Sequence, residues 1–103
     1  MKNANKIYYQ KYINDIQLIF HKFLAASNKT KIGMALVSVC NSEKSKSLIN
    51  SQRLIIHEND RVFLTLNTDD LGSSYRYDGC HFNSLGASVI GEKYAAFINK
   101  FNN

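Results

Sequence analysis

Two nearly unbroken apolar runs constrain this chain more than anything else in it: Ile32-Gly33-Met34-Ala35-Leu36-Val37-Ser38-Val39-Cys40 and Arg61-Val62-Phe63-Leu64-Thr65-Leu66. A strand with one face in water alternates polar and apolar side chains. Runs without that alternation are strands covered on both faces, the pattern of a parallel sheet. The roughly twenty residues between the runs are enough for a helical crossover, so the pair reads as a right-handed βαβ unit. Strands are predicted at about 31–40 and 61–67.

Helical periodicity fills the remainder. Tyr9, Tyr12, Ile13, Ile16, Ile19, Phe20, Phe23 and Leu24 recur at the three-to-four spacing of an amphipathic stripe, predicting a helix over about 5–27 with Asn28 as its stop. A second helix over 45–58, capped from Asn41 or Ser42, turns Leu48, Ile49, Gln52, Ile55 and Ile56 inward. A last helix over 84–101 buries Val89 or Ile90, Tyr94, Phe97, Ile98 and Phe101. Two parallel strands and about three helices make an α/β layer with both sheet edges unpaired. The chain is therefore expected to be a single partial domain, residues 1–103, that associates with copies of itself or completes a larger doubly wound sheet.

Charge and cysteines narrow the partners. Of the net charge of +5, all is carried by the first 31 residues, where six lysines face only Asp15. Lysines without arginine clusters read as a solvated face and not as a nucleic-acid site. No apolar run approaches the length of a membrane span. Met1 to Lys11 is polar and lysine-bearing with no apolar stretch behind it, predicting no signal peptide and a cytoplasmic location for the chain as written. Cys40 and Cys80 fit no Cys-x-x-Cys frame, and with His57 and His81 they match no zinc spacing, so free buried thiols, no metal and no cofactor are expected. Cys40 at a strand end and Cys80 beside His81 both fall on the rim, which leaves a disulfide between them as the open alternative.

The chemistry-bearing stretch is Tyr75-Arg76-Tyr77-Asp78-Gly79-Cys80-His81-Phe82-Asn83-Ser84-Leu85-Gly86, just beyond the second strand. Loops at the carboxyl ends of strands are where sites form in open α/β sheets. An Asp three residues before a His can fold back to accept the ring Nδ1–H, which leaves Nε2 free as a base. By itself the spacing also suits a plain Asp-Gly turn with a loop histidine.

The sequence Asp78-Gly79-Cys80-His81-Phe82-Asn83, followed by Gly86, resembles the last motif of the SGNH/GDSL hydrolases, and Asn67-Thr68-Asp69-Asp70-Leu71-Gly72 resembles the segment before it in the carbohydrate acetylesterase, sialate O-acetylesterase-like branch. The resemblance implies the C-terminal portion of a flavodoxin-like three-layer fold, with His81 and Asp78 as catalytic residues. It implies a serine esterase acting on O-acetyl groups of carbohydrates or other small esters. The family's Gly-Asp-Ser nucleophile block is missing, and Asn41 and Asn67 match no family oxyanion block. The chain alone is accordingly expected to show little esterase activity, its partner being either the missing N-terminal half or a second copy. A non-catalytic interaction module derived from the same fold is the alternative.

Overall fold

The computed structural model describes residues 2–41 and 43–102, and the side chains of 10–41 and 43–101. The order is α1 (Lys2–Ala26), β1 (Ile32–Leu36), α2 (Lys46–Glu58), β2 (Val62–Asn67), short 3-10 turns at Thr68–Asp70 and Ser73–Tyr75, and α3 (Ser84–Asn102). The strands pair in parallel, Ile32 opposite Val62 and Met34 opposite Leu64, with an irregularity before Leu36 meets Asn67. The chain is thus α/β, three helices around a two-stranded parallel sheet.

Strand alternation sends successive side chains to opposite faces. Met34 and Val62 point to one face, where Ile55 of α2 and Tyr12, Ile13, Ile16, Phe20 and Leu24 of α1 cover them. On the other face α3 packs, with Phe63 against Phe97 and Phe101 at ring separations of 6.2 and 4.8 Å. Gly33 allows that approach, because a Cβ there would lie 2.8 Å from Thr65 Cγ2 and 2.9 Å from the Phe97 ring. Helices α1 and α2 therefore share one face and α3 takes the other.

Polar side chains define the ends of the elements. Ser45 caps α2, its hydroxyl accepting from Leu48 N–H at 3.2 Å. The cap falls beyond Asn41, because Asn41 instead takes a left-handed turn (φ 53) between Cys40 and Glu43, whose backbones pair. Ser42 lies outside the described residues. At the far end of α2, Asn59 Nδ2 donates to Ile55 O at 2.6 Å. Arg61 reaches across to the end of α1, donating to Leu24 O (2.8 Å), Ser27 O (2.6 Å) and Thr30 O (3.2 Å), so a distant cation satisfies that helix end.

Two expectations are corrected. β1 stops at Leu36 and does not reach residue 40. From Val37 onward the backbone bonds to side chains: Val37 N–H to Gln52 Oε1 (2.9 Å), Val37 O to Gln52 Nε2 (2.9 Å), and the Ser38 and Val39 N–H groups to Asp69 Oδ1 (2.9 Å each). The stripes are also narrower than their sequences suggest, since Ile19, Phe23 and Ile98 are exposed. Burial of Tyr9 lies outside the described side chains.

Candidate functional site

The site loop is a tight hairpin at the carboxyl end of the sheet. Arg76 and Phe82 pair in antiparallel fashion, and Tyr77 N–H donates to His81 O at 3.1 Å. Gly79 makes the reversal with φ 79, a conformation that a side chain disfavours. Asn83 anchors the exit, since its Oδ1 accepts from Gly86 N–H (3.0 Å) and its Nδ2 donates to Ser74 O (2.9 Å), capping α3 onto the preceding turn. Gly86 sits so close to that turn that a Cβ would lie 2.4 Å from Tyr75 O.

Asp78 and His81 meet inside this hairpin. His81 Nδ1 lies 2.6 Å from Asp78 Oδ2. Asp78 Oδ1 meanwhile accepts the N–H groups of His81 (2.6 Å) and Cys80 (2.9 Å), so both carboxylate oxygens are engaged. The side-chain hydrogen bond to His81, then the His81 and Cys80 N–H groups, draw the Asp78 carboxyl down to about 2. An ionised Asp78 is acceptor-only, so Nδ1 of a neutral His81 must carry the proton and Nε2 presents a lone pair. The His81 side chain is 66% exposed, and Tyr77 stacks nearly parallel to its ring, 13° between planes and 5.7 Å between centroids.

Beneath the hairpin lies a polar anchor that the sequence did not single out. Arg76 is buried, and its guanidinium donates to Thr68 O (2.8 Å), Leu71 O (3.1 Å), Val39 O (3.4 Å) and Cys80 O (2.6 Å), while it stacks on the Phe82 ring at 4.4 Å. Asp69, also buried, receives the Ser38 hydroxyl as well as the two backbone N–H groups. Burial pushes the Asp69 carboxyl up, but the Ser38 hydroxyl, the two N–H groups and the Arg76 charge together hold it below the usual carboxylate range. Thr68 is fully buried and donates to Leu36 O at 2.7 Å. A sequence signal for this anchor existed: an Arg inside a turn-forming stretch, six residues after the Asp69-Asp70 pair.

Cys40 and Cys80 form a disulfide, which corrects the expectation of free buried thiols. The end of the β1 segment and the hairpin turn bring them together, so the bond ties the residue before His81 to the strand side of the rim. It also removes both thiolates as metal ligands. Among the described residues no group of three or more His, Cys, Asp or Glu side chains is placed to hold a metal ion. Beside the hairpin is a cavity of about 280 Å³ lined by Val39, Lys44, Asp69, Leu71, Gly72, Ser73, Arg76 and Gly79.

No family model, curated protein or solved structure matches this chain.

Its function must therefore be argued from the residues of the rim. The hydroxyl of Ser38, at the strand end nearest the hairpin, is engaged with Asp69 and with Ser45 N–H (2.9 Å). Asn67 turns inward, its Oδ1 accepting from Asp69 N–H at 3.0 Å. The arrangement can hold and orient a base, and among the described side chains none is hydrogen-bonded to its Nε2 as a nucleophile would be. No helix of the described residues is long and apolar enough to cross a membrane.

Proposed function

We propose that this chain is the Asp–His half of a serine esterase of the SGNH/GDSL type, removing O-acetyl groups from carbohydrates or other small esters when a second half supplies the serine. The observation that carries the proposal is the 2.6 Å contact between His81 Nδ1 and Asp78 Oδ2, with the other carboxylate oxygen fixed by two backbone N–H groups. In that arrangement Nε2 takes the proton of an incoming serine hydroxyl as the oxygen attacks the ester carbonyl. The imidazolium, stabilised by Asp78, then returns the proton to the departing sugar oxygen. Water repeats the cycle on the acetyl-serine and releases acetate. The oxyanion donors belong to the half that brings the serine, and without them a well-oriented histidine gives little rate.

The Cys40–Cys80 disulfide supports an oxidising compartment in place of the cytoplasm, where glutathione keeps thiols reduced. A non-catalytic interaction module is the second proposal, favoured by the exposed Leu18, Ile19 and Phe23 on α1. One experiment separates the two. The chain is mixed with the N-terminal half of a serine esterase carrying a Gly-Asp-Ser block, and release of nitrophenol from para-nitrophenyl acetate is followed. The esterase proposal expects hydrolysis that His81→Ala reduces to background and Asp78→Asn cuts on the order of a hundredfold or more, by leaving the wrong tautomer. Hydrolysis unchanged by His81→Ala, or none from a complex that does form, would leave the interaction module.

A further inference from the structure

The sheet has a free edge at β1, and the helices around it say what belongs there. Because α1 and α2 lie on the same face, and parallel crossovers are right-handed, the connections through the two helices step across the sheet in the same direction. The step through α2 runs from β1 to β2. A strand leading into α1 would therefore lie on the other side of β1, at its free edge and parallel to it.

The surface beside that edge fits such an addition. Gln17 of α1 donates to Glu58 of α2 at 3.0 Å, so this flank of α1 faces α2. Ile19 and Phe23 lie roughly 160° and 120° around the helix from Gln17. Tyr12 has the same angular position but, nearer the start of α1, reaches Gln52 of α2 at 3.5 Å, so the unpartnered part of this flank is the end that holds Ile19 and Phe23. They are 47% and 61% exposed, and the same flank carries a groove of about 290 Å³ lined by Lys11, Tyr12, Asp15 and Ile16. On β1 itself, Ile32 N–H donates to Arg61 O beside β2, so by strand alternation the peptide groups of Gly33 and Ala35 face the free edge. There the Gly33 carbonyl accepts from the Tyr94 hydroxyl at 3.3 Å, a bond that an added strand would replace. Charge selects the occupant. The first 31 residues hold six lysines against one aspartate, a surplus that repels a second copy and attracts an acidic partner.

We infer that the free edge of β1 and the adjoining flank of α1 form a docking face for an acidic α/β fragment, which adds a third strand parallel to β1 and packs its own apolar helix face on Ile19 and Phe23. The inference deepens the esterase proposal, on which it rests for the identity of that fragment as the serine-bearing half. It also places the added strand's carboxyl end on the same rim as His81, since parallel strands finish on one side.

The test uses the full chain and, as probe, an N-terminal half of a serine esterase with a Gly-Asp-Ser block and a net negative charge. Sedimentation should show a one-to-one complex whose affinity falls as salt rises. Hydrogen exchange should slow at the Gly33 and Ala35 amides on mixing. Ile19→Glu, Phe23→Glu and the charge reversal Lys22→Glu should each weaken binding about tenfold or more. Leu85→Glu and Ile98→Glu, on the exposed side of α3, should not. A complex with this pattern but no hydrolysis keeps the docking face and rejects the esterase. Hydrolysis that survives Ile19→Glu and Phe23→Glu, with no new protection on β1, rejects the docking face and keeps the esterase. Self-association of the chain in place of a mixed complex, or no complex, overturns the inference.

Discussion

The rim of the sheet and the helical layer above it are built on opposite terms. At the rim, Arg76, Asp69, Thr68, Asn83 and a disulfide bind a short polar loop in place, and both oxygens of Asp78 are engaged. Between the sheet and its helices, Met34, Leu36, Ile55 and Val62 are the buried apolar side chains among the described residues, while Leu18, Ile19 and Phe23 of α1 stand in solvent. The rim is ordered by local polar bonds. The half that should carry stability is thin. A loop can thus be held firmly beside a small core, because hydrogen bonds and a disulfide close locally whereas hydrophobic burial needs area.

The largest effect that sharpens this contrast is expected from Arg76→Ala. It strands four carbonyl acceptors and removes a positive charge that helps lower the Asp69 carboxyl, so urea unfolding should show a loss of about 3 kcal/mol or more. Leu36→Ala, at a fully buried position in a small core, should cost less, about 2 kcal/mol by the same measurement. Equal or greater loss at Leu36 would shift the weight of stability from the rim to the core. Gly86→Ala forces a Cβ against Tyr75 O, a backbone atom that cannot swing aside, and should cost about 1 to 3 kcal/mol in melting experiments while loosening the turn before α3. At the other extreme, Phe23→Ser on the exposed flank of α1 should change the stability of the isolated chain by less than about 0.5 kcal/mol. A large loss there would mean that Phe23 already has a partner within the chain.

Acid offers a further separation. The Asp78 pKa is depressed to about 2 in the folded chain, so its contribution is complete above the unfolded value near 4 and is lost as pH falls through the folded one. A carboxyl-carbon titration by NMR should therefore find Asp78 ionised at pH 4 and protonated only near pH 2, while an ordinary exposed aspartate such as one in a loop peptide has already titrated.

What was legible in the sequence follows the range of the interactions. The two strands and three helices could be read because unbroken apolar runs and helical stripes are local signals, and the Asp78–His81 spacing could be read because both residues lie within one turn. The early end of β1 could not, because it depends on Gln52 and Asp69 reaching backbone groups far away in sequence. The disulfide was legible only in part: Cys40 at a strand end and Cys80 beside His81 both fall on the rim, but whether they meet depends on the fold that closes the forty residues between them. Ile19 and Phe23 misled in an instructive way, since a stripe wider than this chain can bury was read as core.

The most direct test is the tautomer of His81 in the isolated chain. Nitrogen-resolved NMR at a pH where the imidazole is neutral reports which ring nitrogen carries the proton. The 2.6 Å contact with Asp78 Oδ2 predicts a proton on Nδ1, shifted to low field by that hydrogen bond, with Nε2 bare. A proton on Nε2, or rapid averaging between the two nitrogens, would contradict it.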